Sequence, residues 1–227
     1  MFIDEWFDSG FYKELPLGYH QSFSFGQFFW THAYYPHENL ELWRPVPDPN
    51  EPTRSYAAHF QIQAAGQDAF RRSFPLQAPP LKTNEEFLVL RAKRRPVVLV
   101  QPELPLPAVD NRGYRGKIER RRCTVAQIFG LADPDTETAQ FSQLFVDRVR
   151  KMEFLQFMFL PQRAGLFQVD SLLRLDELQS VFTPHLEPTK FALVDSIAEI
   201  LRDQMQFLIT KKGPNVYTEL REMLLGA

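Results

Sequence analysis

Short hydrophobic runs with the residue content of β-strands are spread over most of the 227-residue chain. They are rich in aromatic and β-branched residues, which strands favour, and Gly, Pro or polar residues bound them. Between residues 153 and 161 the pattern alternates, so that Leu155, Phe157 and Phe159 fall on one face of a strand. The predicted strands cover residues 23–30, 86–90, 96–100, 123–129, 153–161 and 171–178.

Helical spacing is concentrated at the C-terminal end of the chain. Five apolar residues recur there in steps of three and four, the stripe of an amphipathic helix: Val194, Ile197, Leu201, Met205 and Leu208. A Gly-Pro pair at 213–214 ends this helix. Shorter helices are predicted over 138–149 and 216–225. The aromatic residues between Phe2 and Tyr12 are spaced like one face of a further helix, docked on the core or on a partner.

The order of these elements predicts the fold class and the domain organisation. Strands come first and the long helix last, which predicts an α+β fold with a mostly antiparallel sheet curled into a small barrel. The length fits one elaborated domain over residues 1–227. Proline is dense after the first predicted strand, so residues 37–86 are predicted to be a Pro-rich insertion within the barrel. Residues 1–22 form an N-terminal extension.

The composition excludes two classes of protein. Hydrophobic residues make up 44% of the chain and aromatic residues 14%, which excludes a disordered chain. The longest strongly apolar run, 154–160, is far shorter than the roughly 20 residues that cross a bilayer, so no membrane span is expected. The single cysteine, Cys123, predicts a reducing compartment. With no signal peptide at the N-terminus, we expect a cytoplasmic protein.

Charge is distributed unevenly along the chain, although the net charge is only −2. Ten basic and three acidic residues lie between Arg91 and Arg122, so this stretch carries +7 and the rest of the chain −9. A basic block of this kind favours a polyanion, an acidic partner or contact between two parts of the chain. Solvated loop charges are the alternative interpretation.

Four segments, in this order, resemble the PemK/MazF family of toxin ribonucleases. GQFFWTHAYYP at 26–36 resembles the opening strand of the family. KRRPVVLVQ at 93–101 resembles its Arg-Pro motif and the β-branched strand that follows it. GLFQVDSLLRLDELQSV at 165–181 resembles its Asp-Ser segment, and the closing amphipathic helix stands in the corresponding place. The four segments cover well under half of the chain.

The resemblance implies a small SH3-like barrel that forms a homodimer and binds single-stranded RNA in a basic groove. It also implies metal-independent endoribonuclease activity without a cofactor, controlled by an acidic antitoxin peptide that fills the groove. The catalytic arginine of the family corresponds to Arg95, and a guanidinium can hold a phosphate and stabilise the charge that builds on it. The hydroxyl residue of the family falls at Phe129. Thr124, five residues earlier, is expected to face the opposite side of the strand.

Six basic residues are candidates for binding RNA: Lys93, Arg94, Arg95, Arg120, Arg121 and Arg122. Arg95 is also the candidate catalytic residue. The last three lead into the strand predicted beside residues 97–100, and this makes them candidates for the same groove. For each of the six, the alternative is an ordinary exposed charge.

The histidines, the cysteine and the Asp-Ser pair do not predict a metal site or a catalytic site. The histidines have no acidic or cysteine cluster at ligand spacing around them, so no metal site is predicted; they are His20, His32, His37, His59 and His185. Cys123 is predicted to be a buried strand residue rather than a nucleophile. Asp170 and Ser171 are interpreted as structural, ending a turn as in the family.

Two functions are compatible with these residues and segments. The first is a PemK/MazF-like protein that binds RNA, either as a divergent endoribonuclease toxin or as a descendant that kept the fold. The alternative is a non-catalytic protein-interaction module, in which residues 1–20 or 37–86 cover the groove of a retained barrel. No motif supports a third possibility, an unrelated α+β enzyme.

Overall fold

Twelve strands and four helices are present in the computed structural model, which describes residues 1–7, 10–34, 41–43, 46–47, 50, 55–57, 76–77, 87–103 and 121–226. In chain order the strands are β1 (Tyr12–Glu14), β2 (Gln27–Tyr34), β3 (Glu41–Trp43), β4 (Val46–Pro47), β5 (Ser55–Ala57), β6 (Leu76–Gln77), β7 (Phe87–Val89), β8 (Ala92–Gln101), β9 (Arg122–Gly130), β10 (Phe157–Leu160), β11 (Ser171–Phe182) and β12 (Glu187–Leu193). The helices are α1 (Ile3–Trp6), α2 (Gln143–Arg150), α3 (Asp195–Thr210) and α4 (Val216–Gly226).

The chain divides into two compact units, and each has its own strands. The first unit is Met1–Thr31 with Arg94–Ala227, and the second is His32–Lys93. Within the second unit β3 pairs with β7 in antiparallel fashion, and β4, β5 and β6 form a separate three-stranded sheet. Most of the predicted insertion, 37–86, lies outside the described residues.

The first unit is organised around a seven-stranded antiparallel sheet with the strand order β1-β12-β2-β8-β9-β11-β10. The α+β class is therefore confirmed. Among the described strands β1 and β10 occupy the two edges and no backbone ladder joins them, so the sheet is not closed into a barrel. The carbonyl oxygens of Leu155 and Phe157, at the start of the β10 edge, instead accept hydrogen bonds of 3.0 and 2.9 Å from the side-chain amide of Gln204 in α3.

The central strand β8 is buried on both faces. Val98 belongs to the main core, which includes Leu201 of α3, whereas Val97 and Leu99 belong to a second, smaller cluster on the other face. A strand that is buried on both faces needs an unbroken hydrophobic run rather than alternation. This requirement explains the run at 96–100, and the strands predicted there and at 123–129 are confirmed.

The two C-terminal helices agree with the sequence pattern. Ile197 and Leu201 of α3 are buried in the main core, and the predicted helix over 216–225 is α4.

In the part of the chain that the structure describes, no helix is long and apolar enough to cross a membrane.

The predicted N-terminal helix is wrong beyond its first turn. Among the described residues of this segment, which lacks 8 and 9, only Ile3–Trp6 is helical, and Tyr12 lies in β1. Gly10 has a φ of +80°, a left-handed conformation that glycine adopts without strain, and its N–H donates to the carbonyl of Phe7 at 3.0 Å shortly before β1 begins.

Three other element boundaries differ from the sequence prediction. The first long strand begins at Gln27 rather than at residue 23, directly after Gly26, whose φ is +82°. Helix α2 begins at Gln143 rather than 138, because Ser142 Oγ accepts a hydrogen bond from the N–H of Phe145 and caps the helix there. In the predicted strand 153–161 only Phe157–Leu160 is extended in the sheet.

Candidate functional site

Arg95 and Phe129 are neighbours across two adjacent strands. The antiparallel register pairs Val97 with Gln127 and Val98 with Ala126, and its continuation by two residues sets Arg95 opposite Phe129. The guanidinium carbon of Arg95 lies 4.2 Å from the centroid of the Phe129 ring. At this distance a guanidinium makes a cation–π contact with the ring. The candidate catalytic arginine therefore lies beside the residue that the sequence resemblance aligns with the family's hydroxyl position.

A second guanidinium approaches the same aromatic ring. Arg174 of β11 is paired with Gln127, and its guanidinium carbon is 5.3 Å from the Phe129 centroid and 5.7 Å from that of Phe157. The ring of Phe129 is thus contacted by two cationic groups from the strands on either side of it. We call Arg95, Phe129, Arg174 and Phe157 the guanidinium–aromatic cluster.

Two carboxylates hold Arg174 in this position. Its Nε and Nη2 atoms donate to the two carboxylate oxygens of Asp176 at 3.1 and 2.7 Å, and Nη1 lies 2.6 Å from Glu177 Oε1. These contacts, led by the hydrogen bonds that Arg174 donates to Asp176, raise the pKa of Arg174. The register of β11 against β9 shifts between Arg174 and Leu178, and this bulge places both acidic residues beside the guanidinium.

Aromatic side chains from outside the sheet support the cluster. Phe145 of α2 lies 6.0 Å from the Phe157 ring, and Phe154 lies 5.6 Å from it. Phe141 stacks on Phe145 with 5.0 Å between centroids, and it is exposed. The cluster is therefore supported by a packed aromatic layer that reaches the surface at α2.

Arg94 makes a different set of contacts from its neighbour Arg95. Successive side chains of a strand point to opposite faces, and Arg94 lies over the ring of Trp30 at 4.6 Å. Its Nη2 is 2.6 Å from Glu187 Oε2, and both side chains are more than half exposed. Lys93 is exposed at the start of β8. Neither residue adds a described contact to the guanidinium–aromatic cluster.

The arginines at the start of β9 lie far from Arg95. Arg122 and Phe129 are seven residues apart on one strand, a separation of about 23 Å at 3.3 Å per residue. The register of β9 against β11 is unbroken along β9, so an odd spacing places the two side chains on opposite faces. Arg121 Nε is 4.0 Å from a carboxylate oxygen of Glu103, and Arg120 lies outside the described residues. The structure does not bring Arg121 and Arg122 into one groove with Arg95, because β8 and β9 run in opposite directions.

The hydroxyl expected by the family resemblance is absent from the cluster position. Phe129 occupies that position, and Thr124 lies on the other face of β9, where its hydroxyl donates to Gln101 Oε1 at 3.2 Å. The expectation that Thr124 faces away is confirmed.

The remaining candidate residues have structural surroundings. Cys123 is 2% exposed, and burial raises the pKa of its thiol, as expected for a strand residue in the core. Asp170 Oδ1 accepts from the N–H of Gln162 at 2.7 Å, and Ser171 Oγ donates to the carbonyl of Val169 at 3.0 Å. Both contacts fit the structural interpretation of the Asp-Ser pair.

No metal centre is formed by the described residues, since nowhere in them do three His, Cys, Asp or Glu side chains come close enough to hold an ion. Of the histidines considered from the sequence, His37 and His59 lie outside the described residues. His20 packs edge-on against Tyr19 and His185 against Phe182.

Sequence reasoning missed Arg174 as a site residue. The available signal was a cationic residue inside the apolar strand pattern SLLRLDEL, followed within three positions by two acidic residues. Which strand would lie beside it, and hence which ring it would contact, depends on the pairing of β11 with β9.

Comparison with known proteins adds no relationship: no protein-family model matches this chain, and no curated protein matches it. The likeness to the PemK/MazF family thus remains a prediction based on the four sequence segments.

Proposed function

We propose that this protein binds single-stranded RNA, with Arg95 and Phe129 at the centre of the contact. The observation that carries the proposal is the position of the Arg95 guanidinium, 4.2 Å from the Phe129 ring on one face of β8 and β9. Single-stranded RNA presents phosphates and unpaired bases, which are bound by cationic and aromatic side chains in combination. A guanidinium that is already oriented by a ring loses less conformational entropy when it binds a phosphate.

The scaffold proposed for this activity is an SH3-like sheet of the PemK/MazF type. Its support is the order of the resembling segments, which form β2, β8, β11 and α3 in the structure. In the sheet β2 and β8 are neighbours, and β9 lies between β8 and β11. On this proposal the protein is a cytoplasmic homodimer, and an acidic antitoxin peptide competes with RNA for Arg95.

Binding is better supported than cleavage. In the proposed endoribonuclease reaction the RNA 2′-hydroxyl attacks the adjacent phosphate and loses its proton to water, and the bond from phosphorus to the 5′-oxygen of the next nucleotide breaks. The products are a 2′,3′-cyclic phosphate and a 5′-hydroxyl, which takes up a proton from water, and Arg95 stabilises the charge that develops on the phosphate. The hydroxyl that the family places beside this arginine is replaced by the ring of Phe129, which can neither donate nor accept a proton. On this proposal the cluster keeps Arg95, the residue that holds the phosphate in the family, and has Phe129 where the family has a hydroxyl residue.

The test is RNA binding and cleavage measured together. Purified protein is mixed with a fluorescently labelled single-stranded RNA of mixed sequence in EDTA, and binding is read by anisotropy and cleavage by gel. The variant is Arg95→Ala. The matched control is Arg202→Ala, which also removes a guanidinium lying over a phenylalanine, 4.6 Å from the centroid of Phe25, but on α3.

Binding by the wild-type protein that falls at least about tenfold in Arg95→Ala and not in Arg202→Ala supports the proposal, since charge-assisted phosphate contacts are worth about 1.5 kcal/mol or more. Absence of RNA binding at low salt overturns it. Cleavage in EDTA that disappears in Arg95→Ala extends the proposal to an endoribonuclease.

A second candidate function is the non-catalytic protein-interaction module. The observation that favours it is the exposed apolar surface of α2 and the turn before it, where Leu144 is 71% exposed and Phe141 37% exposed beside the cluster. Large exposed side chains of this kind are typical of protein contacts. A Leu144→Asp variant that loses a protein partner while the wild type binds no RNA would favour this function.

A further inference from the structure

Phe182 is an exposed aromatic residue at the end of β11, and its position is not explained by the core. It exposes 42% of its surface, whereas its sequence neighbour Val181 is buried. The neighbouring strand in the sheet, β9, carries Arg122 directly opposite Phe182 in the antiparallel register. The ring of His185 stands edge-on to that of Phe182, with centroids 5.4 Å apart and planes at 83°.

Backbone hydrogen bonds order the main chain that carries these side chains. The N–H of Thr183 donates to the carbonyl of Arg121 at 2.9 Å and so continues the pairing of the two strands past Phe182. A short 3-10 turn, Thr183–His185, follows, closed by a bond of 3.0 Å from the N–H of Leu186 to the carbonyl of Thr183. A ligand that binds Phe182 therefore does not have to order the main chain at this position, which lowers the conformational entropy lost on binding.

The surroundings of Phe182 are cationic. Arg121 and Arg122 are both exposed, and among the described residues Arg121 Nε lies 4.0 Å from Glu103 Oε2. The ligand that fits such a surface is a polyanion with a flat group to stack on the ring.

We propose that Phe182, His185 and Arg122 form a second RNA-contact site, in which the Phe182 ring stacks on an unpaired base and Arg122 holds an adjacent phosphate. Single-stranded RNA combines these two features, whereas a base inside a duplex has no free face. The inference rests on the proposed RNA binding for its ligand. Its location is separate, since Arg122 and Phe129 lie seven residues apart on β9 and on opposite faces.

The direct test is photocrosslinking to RNA that carries 5-iodouridine, followed by mass spectrometry of the crosslinked peptides. We expect a crosslink within residues 182–185 of the full-length protein. In parallel, RNA affinity is measured for Phe182→Ala, for Phe182→Trp, which keeps a stacking surface, and for Leu178→Ala as the matched control. Leu178 lies on the same strand and is 44% exposed.

Loss of one base-stacking contact weakens binding by about fivefold to 150-fold. We expect a loss in this range for Phe182→Ala, and none for Phe182→Trp or Leu178→Ala. The same Phe182→Ala change should leave the affinity for an abasic oligonucleotide unchanged, because that ligand keeps the phosphates and lacks the bases. All three variants replace exposed side chains, and their thermal unfolding is compared with that of the wild type.

Three results would contradict the second site, the RNA contact at Arg95 or the stacking on Phe182. If Phe182→Ala binds RNA within about twofold of the wild type, or the crosslink lies elsewhere, the second site is wrong while RNA binding at Arg95 stands. If Phe182→Ala weakens binding and Arg95→Ala does not, the proposed function at Arg95 is wrong and the second site stands. If polyglutamate displaces RNA from the Arg95→Ala variant, which keeps only the second site, as well as unlabelled RNA does, the stacking interpretation is overturned in favour of an acidic protein partner.

Discussion

The hydroxyl of Tyr12 donates a hydrogen bond of 2.6 Å to the carbonyl oxygen of Pro161, and this bond joins the two edges of the sheet. Tyr12 belongs to the edge strand β1, and Pro161 directly follows the other edge strand, β10. The Tyr12 ring also contacts Phe28 and Phe167 edge-on, at 5.6 and 5.8 Å between centroids. The sheet thus curls until its edges meet through a side chain, without a backbone ladder between them.

Removal of this hydroxyl is expected to lower the stability of the protein. Tyr12→Phe keeps the ring contacts and leaves the Pro161 carbonyl without its donor, which costs about 1 kcal/mol in the free energy of unfolding. Urea denaturation measures the difference, and Tyr19→Phe serves as a control, because no described contact of the Tyr19 hydroxyl joins the sheet edges. An unchanged midpoint for Tyr12→Phe would mean that the hydrogen bond does not stabilise the curled sheet.

Burial of Tyr217 predicts a loss of stability at high pH. The residue is 0% exposed, and burial raises the pKa of its hydroxyl to about 12. The unfolded chain, with a tyrosine pKa near 10, loses its proton first, so deprotonation favours unfolding. The contribution of Tyr217 is complete below pH about 10 and is lost as the pH rises through about 12, a difference of about 3 kcal/mol.

Tyr217→Phe isolates this effect from the other titrating groups. Within the described part of the chain the buried hydroxyl has no hydrogen-bond partner, so its removal is expected to be neutral or stabilising by about 1 kcal/mol at pH 7. Between pH 10 and 12 the variant should become progressively more stable than the wild type. A constant difference across that range would contradict the raised pKa.

Gln204 protects one edge of the sheet, and its removal should weaken both folding and solubility. Gln204→Leu leaves the carbonyls of Leu155 and Phe157 without their donors, and two hydrogen bonds at about 1 kcal/mol each predict a loss of about 2 kcal/mol. The exposed strand edge should also promote aggregation, which light scattering detects. Gln206→Leu, at an exposed position of the same helix, is the control and is expected to change neither property.

The salt dependence of RNA binding distinguishes the two ways in which Arg95 can act. If Arg95 holds one phosphate, Arg95→Ala should reduce the slope of log affinity against log salt by about 0.7. Its effect on the free energy of unfolding should stay below about 1 kcal/mol, the usual size of a cation–π contact at a half-exposed site. A large loss of stability with an unchanged slope would assign Arg95 a packing role only.

The acidic pair beside Arg174 is expected to restrain RNA binding. Neutralising Asp176 and Glu177 in the double variant Asp176→Asn, Glu177→Gln removes the carboxylates that compensate Arg174 and should strengthen RNA binding by about threefold to tenfold. The control Asp135→Asn, Glu137→Gln changes the net charge equally at exposed positions of the loop between β9 and α2. Equal effects of the two double variants would show that only net charge matters.

The sequence was most informative where one local pattern determined one element. The three-and-four stripe that includes Ile197 and Leu201 is helix α3, and the run 96–100 lies in β8. It was least informative at the N-terminus, where the aromatic spacing fitted a helix face and the conformation of Gly10 set a different path. The spacing of hydrophobic residues does not reveal where a single residue adopts a positive φ.

The candidate site depended on strand pairing, which local pattern does not contain. Arg95 and Arg122 are both next to hydrophobic strands, and the sequence therefore suggested a common groove. Antiparallel pairing places them at opposite ends of β8 and β9, and alternation places Phe129 and Arg122 on opposite faces. The same pairing brings Arg174 to Phe129, from a distance of 45 residues along the chain.

Because β9 keeps Arg122 and Phe129 about 23 Å apart on one rigid strand, the two proposed sites behave as separate anchors for one ligand. A short oligonucleotide reaches only one anchor and binds with the affinity of that anchor alone. A longer one that passes around the sheet binds the second anchor at the high effective concentration set by the first. Affinity should therefore rise abruptly once the RNA is long enough to span both anchors, so that β9 would select RNA by length without reading its sequence.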